Sequence, residues 1–225
     1  MKLSRALLEG STLMAEPQTT RRRPPRFDLI AGNVSLDFVN TLDDRHTKPK
    51  ELLTSYIDLA RFGEDTGLLT ATQVDRLFER SYTLPDEAEK ALRWARELRE
   101  ATHDVFWAVI NKRPAPPAAL ARLNADAQNA AEHLRVVQVD DHFEWRFDDL
   151  SNFEGILWPL AHAAAELLAS DQLPFVRACL AKECEWFFLD TSKNRHRRWC
   201  DMTKCGNRAK VRRFYAKQRE GASEI

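Results

Sequence analysis

Four cysteines constrain this chain more than any other feature. All lie in the last quarter of its 225 residues, as Cys179-x4-Cys184, a fifteen-residue excursion, and Cys200-x4-Cys205. Two local pairs of equal spacing, joined by a short excursion, supply four soft ligands in a tetrahedron, so the spacing predicts one structural Zn2+ held by four thiolates. Two disulfides, or four unrelated buried thiols, are the competing arrangements; equal spacing of the pairs speaks against unrelated thiols. Disulfides are disfavoured because the N-terminus, MKLSRALLEG, has neither the sustained apolar run nor the cleavage site of a secretory signal. His196 or His162 as a substitute ligand, and an iron–sulfur cluster, stay as alternatives. Metal binding supplies on the order of 10 kcal/mol of folding energy to small modules of this kind, and a segment this basic and short needs such a staple.

Charge divides the chain in the same place. The formal net charge is zero, yet residues 177–220 hold 13 Lys/Arg against 5 Asp/Glu, which is +8 and leaves −8 for the rest. Four zinc-bound thiolates reduce the tail to about +6, still suited to a polyanion. The composition, 44% hydrophobic and 30% charged, is that of a globular protein. Its length allows one main domain and a small appendix. No window approaches the roughly 18 apolar residues of a membrane span, so a membrane is not expected as a partner and the cytoplasm is the expected location.

Read for periodicity, the chain is mainly α with a small β-sheet (α+β): a helical main domain followed by a small zinc-binding module. Residues 1–26, with Pro17, Pro24, Pro25 and the run Arg21, Arg22, Arg23, read as a flexible basic arm, and Met14 is a candidate true start. In Phe27–Leu42 the alternation of Val34, Leu36 and Phe38 after a Gly-Asn turn predicts a strand, with a helical continuation over Val39 to Leu42 as the alternative. Ser55 with Asp58 and Thr70 with Gln73 have capping-box spacing and predict two helix starts. Pro85 opens the longest helical pattern, up to Pro114, and Pro116 and Pro117 open another to about Ala131. Leu134–Val139 and Phe143–Phe147 read as a hairpin around Asp140 and Asp141, and Asn152–Ser170 as a helix started or interrupted at Pro159. Trp186 to Leu189 is expected as a strand that packs on the knuckles. The divisions drawn are residues 1–26, 27–172 and 173–225.

The run FFLDTSKNRHRRWCDMTKCGNRAKVRR, with Cys179 and Cys184, resembles the CGNR zinc finger, named for the letters at Cys205, Gly206, Asn207 and Arg208. The upstream LDFVNTL (Leu36 to Leu42) and the helical middle are similar to the ABATE domain that accompanies it. This resemblance covers nearly all of the chain after Phe27. It implies a bacterial, stress-responsive transcription regulator with the four cysteines as zinc ligands.

After Cys205 the chain has good helix formers and no proline, which predicts a basic helix. Arg208 and Arg212 line one side of it, Lys210, Arg213 and Lys217 an adjacent one, and Arg195, Arg197 and Arg198 add a second cluster. These eight are the candidate nucleic-acid contacts, with DNA the expected partner. Solvated or internally paired arginines are the bland alternative, with Arg198 bracing a knuckle carbonyl or stacking on a ring. Asn207 reads as a cap, and Gly206 as a position needing φ > 0.

In LDFVNTL, Asp37, Asn40 and Thr41 set polar groups in an apolar run and need hydrogen-bond partners if buried. A small-molecule pocket near Asp37, Asn40, Arg45 and His162 is the sharper expectation; helix capping and loop ties are the plainer one. A second copy of the chain, as a homodimer, is a further candidate partner. With 7 glycines and no phosphate loop, nucleophile elbow or HExxH, catalysis is not expected. The alternative to a DNA-binding regulator is a zinc-stabilised protein-interaction module with a metabolite-binding helical domain.

Overall fold

The computed structural model describes residues 26–222; the N-terminal arm of the sequence reading lies almost wholly outside them. Helix α1 (Val34–Val39) is followed by the ribbon β1 (Leu42–Asp43) and β2 (Lys50–Glu51), then α2 (Tyr56–Asp65), α3 (Ala71–Thr83), α4 (Pro85–Ile110) and α5 (Pro117–Glu132). The hairpin β3 (Leu134–Val139) and β4 (His142–Phe147) comes next, then α6 (Leu157–Ala169), a 3-10 turn, the ribbon β5 (Val176–Ala178) and β6 (Phe187–Leu189), and α7 (Asn207–Ala222). The three ribbons are separate antiparallel pairs.

Local chemistry sets most of these boundaries. The Ser55 N–H donates to Asp58 Oδ2 at 2.9 Å, and Thr70 and Gln73 close a reciprocal box at the start of α3. Pro85 and Pro117 occupy first turns, where a missing N–H costs nothing. At the hairpin turn Asp140 takes φ 51°, a conformation that Asp tolerates better than most residues.

The segment 34–39 departs from the sequence reading: it is a helix, not a strand. Asn33 caps it, accepting from the Ser35 N–H, after Gly32 turns the chain at φ 78°. The burial of Ser35, Leu36, Phe38 and Val39 follows a helical face, not alternation.

α4 is the spine of the core and touches α1, α2, α3, α5 and α6. Leu92, Ala95, Leu98 and Phe106 on it are fully buried. On its other side Arg99, 2% exposed, donates to both oxygens of Glu51 at 2.6 and 2.7 Å and to Glu100 at 2.9 Å. This network, centred on the buried Arg99, binds the β1–β2 ribbon to α4 and fixes the segment between α1 and α2 that meets the C-terminal module.

Candidate metal centre and the joint that carries it

The four cysteines are 3–9% exposed, and their Sγ atoms all lie within 4.8 Å of one another. Cys184 and Cys200 are 3.5 Å apart and Cys200 and Cys205 3.7 Å. Zinc–sulfur bonds of about 2.3 Å imply a tetrahedral edge of about 3.8 Å, so these sulfurs already stand at ligand spacing. Hydrogen bonds from the thiols of Cys184 and Cys200 hold the Cys179 sulfur far below the usual thiol range, while the same sharing pushes Cys184 and Cys200 up. Four sulfurs this close cannot all ionise side by side, and a divalent cation among them removes that conflict.

Backbone bonds fold the chain around the centre. The Cys179 N–H donates to the Trp186 carbonyl at 2.8 Å, and the Gly206 N–H to the Asp201 carbonyl at 3.0 Å. Fully buried Asp190 accepts from Ser192 and from the Arg197 N–H, folding the excursion back. Gly206 does not take φ > 0; an added Cβ would stand 2.5 Å from Met202 Sδ, so the half-exposed Met202 side chain would have to move aside. Asn207 Nδ2 donates to the Thr203 carbonyl at 3.0 Å and so ties the turn into α7.

Strand β6 joins two cores through its two faces. Phe188 turns to the cysteines, while Phe187 and Leu189 enter the core of the helical domain. The strand therefore packs on the knuckles with one residue of three. Asn40, the C-cap of α1, clasps it: the Phe187 N–H donates to Asn40 Oδ1 and Asn40 Nδ2 donates to the Phe187 carbonyl, both at 2.9 Å. Trp186 Nε1 donates to Asp43 Oδ1 at 2.8 Å, His46 pairs with Glu185 at 2.8 Å, and the His103 ring stacks on Phe187 at 5.2 Å.

Residues 32–171 match the ABATE domain, described as "Putative stress-induced transcription regulator", which is more than half of the sequence. The chain belongs to the ABATE family. Residues 176–218 match the CGNR zinc finger, so the four cysteines are the ligand set of a zinc finger that holds one structural zinc. Both descriptions are of regulator and zinc-finger types and not of enzymes. A search of curated proteins gave no match. No helix among the described residues is long and apolar enough to cross a membrane.

The four residues expected around a ligand are not brought together in this ABATE domain. Asp37 Oδ1 accepts from the Ala31 N–H at 2.9 Å, Asn40 holds β6, and Arg45 pairs with Glu100 and reaches the Val39 carbonyl. His162 lies elsewhere, edge-on to Phe147 at 5.7 Å. A cleft of about 640 Å³ lies at the joint instead, between Asp43, Asp44 and Lys48 of the domain and Lys182, Trp186 and Arg208 of the finger, and its wall includes the zinc ligands Cys184, Cys200 and Cys205. Sequence reasoning missed Trp186, Asp43, His46 and Glu185 as joint residues. The one usable signal was polar Asn40 inside LDFVNTL.

Burial pushes the Asp37 carboxyl up to about 6, against the N–H groups of Ala31 and Ile30, which hold it down. A carboxyl raised in the folded state favours folding below its unfolded value near 3.8 and loses that contribution as pH rises through about 6. Asp37→Asn keeps an acceptor for Ala31 without the charge. Its thermal stability should equal that of the parent near pH 4 and exceed it near pH 7 by about 1–2 kcal/mol after solvent screening. Parallel melting curves across that range check this, and equal stability at both ends would refute it.

The basic residues divide into two groups. Arg195 and Arg197 are tied into the fold: the first, though exposed, lies over Phe175 at 4.2 Å and donates to the Asp190 carbonyl, and the second, half-buried, lies over Phe188 at 4.6 Å and donates to the carbonyls of Trp199 and Cys200. Arg198 is exposed and lies over the Trp199 ring at 5.3 Å. On α7, Arg208, Lys210 and Arg213 are exposed and have no ion pair among the described residues, and Arg212 pairs with Glu183 at 2.5 Å. The Lys217 side chain lies outside what is described.

Proposed function

We propose that this chain is a DNA-binding transcription regulator in which the zinc finger orients α7 for entry into a major groove. The observation that carries the reading is the surface of α7. Val211, Phe214 and Tyr215 are 53%, 59% and 57% exposed and, at helical spacing, form one apolar stripe. Arg208 and Arg212 flank it on one side, Lys210 and Arg213 on the other. A helix of this pattern presents apolar groups to base edges and thymine methyls while its flanks reach both phosphate backbones. Arg198, at the edge of the knuckle, extends the basic surface.

Binding to duplex DNA should weaken steeply with salt. Four phosphate contacts give a slope of log K against log salt of about −3.6, and each Lys or Arg lost from a flank reduces it by about 1. Fluorescence anisotropy on the zinc-loaded chain, across a salt series, with Arg208→Ala, Lys210→Ala and Arg213→Ala, tests this. Binding that ignores salt, or that survives loss of all three, would remove α7 from the interface.

A second element of the reading rests on the joint cleft, which leaves room for a small metabolite beside the zinc site. Its wall is shared by the loop after β1 and by the finger. A ligand seated there touches both bodies, which couples sensing to the orientation of α7.

A further inference from the structure

Three of the four zinc ligands border the joint cleft: Cys184, Cys200 and Cys205 line it, and Cys179 does not. The cleft, at about 640 Å³ against about 30 Å³ for a water molecule, admits a small oxidant to sulfurs that are otherwise buried. Cys184 is the most exposed of the four, at 9% against 3% for each of the others. Cys200 Sγ stands 3.5 Å from Cys184 Sγ and shares the same wall. That wall also carries Lys182 and Arg208, which have no ion pair among the described residues, and Arg208 Nη2 lies 4.0 Å from Cys205 Sγ. Sulfurs beside cations, open to solvent on one side, are the oxidation-prone kind; sulfurs sealed in an apolar core are inert.

We propose that the finger is a peroxide-sensitive switch in which Cys184 is the sulfur attacked, through the cleft, and Cys200 is the one that closes a disulfide with it. In the first step the Cys184 thiolate attacks one oxygen of hydrogen peroxide. An S–O bond forms, the O–O bond breaks, and hydroxide leaves. In the second step the Cys200 thiolate attacks the sulfur of the resulting sulfenic acid. The S–S bond forms and a second hydroxide leaves. Two thiolates give up two electrons, one peroxide becomes two hydroxides, and solvent protons neutralise these.

Only Cys179 and Cys205 then remain as thiolates, and two ligands do not complete a tetrahedral zinc shell. The turn that carries Cys205 runs directly into α7 and packs against it, so loss of the metal releases the start of that helix. A reducing thiol reverses the change, because a disulfide is the recoverable rung of cysteine oxidation. The switch holds whether or not the cleft takes a metabolite and whether or not α7 binds DNA, since both of its steps belong to the cysteines.

Titration of the zinc-loaded full chain with hydrogen peroxide decides it, with released zinc read by a colorimetric chelator and disulfides by non-reducing peptide mapping. Zinc should leave in step with peroxide consumption. The first disulfide mapped should be Cys184–Cys200, with Cys179 still free, and dithiothreitol with added zinc should restore the metal and the near-UV spectrum. Thr47→Trp fills an exposed part of the cleft wall without touching a ligand. It should slow zinc release several-fold while the starting zinc content stays at one per chain. Zinc retained under excess peroxide overturns the proposal. So does a first disulfide other than Cys184–Cys200, or release from Thr47→Trp at the wild-type rate.

Discussion

Replacing Cys200 with serine should cost the protein its zinc and the fold of its finger together. Cys200 stands 3.5 Å from Cys184 and 3.7 Å from Cys205, and a serine hydroxyl, which stays protonated at neutral pH, is a poor zinc ligand. Of the roughly 10 kcal/mol that metal binding contributes to modules of this size, most should be lost. The cluster around the sulfurs, with Phe188 at 0% exposure, then has no organising centre. The ABATE core is separate and should persist at reduced stability. Metal content by plasma mass spectrometry should fall from one zinc per chain to near zero, near-UV dichroism from Trp186 and Trp199 should collapse, and trypsin should cut after Arg197 and Lys204. Chelation or mild acid should reproduce this in the wild type, since falling pH protonates the thiolates and releases the metal. A serine variant that keeps stoichiometric zinc would mean that the four sulfurs do not form the site.

The zinc ligands were legible because their geometry is encoded in short spacings, and the capping boxes at Ser55 and Thr70 because each is complete within four residues. Helix α1 was not. Six residues are too few to separate a period of 2 from one of 3.6, and Val34, Phe38 and Val39 carry β-propensity that burial overrides. The ligand constellation failed for a related reason. Asp37 and Asn40 were rightly read as polar groups needing partners, but the partner of Asn40 lies 147 positions away, beyond any local pattern. Charge runs are equally blind to what lies under them. Arg195 and Arg197 sit in the same basic run as Arg198, yet Phe175 and Phe188 beneath them turn them into braces of the finger.

Asn40→Ala should separate the stability of the joint from that of the metal centre. Asn40 is 4% exposed and satisfies both backbone groups of Phe187 at 2.9 Å. Alanine leaves a buried N–H and a buried carbonyl without partners, at about 1–3 kcal/mol each, and so lowers the melting temperature by about 5–15 °C in a chain of this size. None of the zinc ligands is touched, so zinc should remain at one per chain. Asn40→Asp is the sharper probe. Its Oδ1 can still accept from the Phe187 N–H, but at neutral pH its other oxygen, carrying charge, faces the Phe187 carbonyl. Acidification should protonate that carboxyl, restore a donor and recover part of the lost stability, a pH response opposite in direction to zinc release. If the alanine variant melts within about 1 °C of the parent, the clasp does not hold the finger. If it melts early and loses its zinc as well, the joint and the metal centre form one cooperative unit instead of two coupled ones.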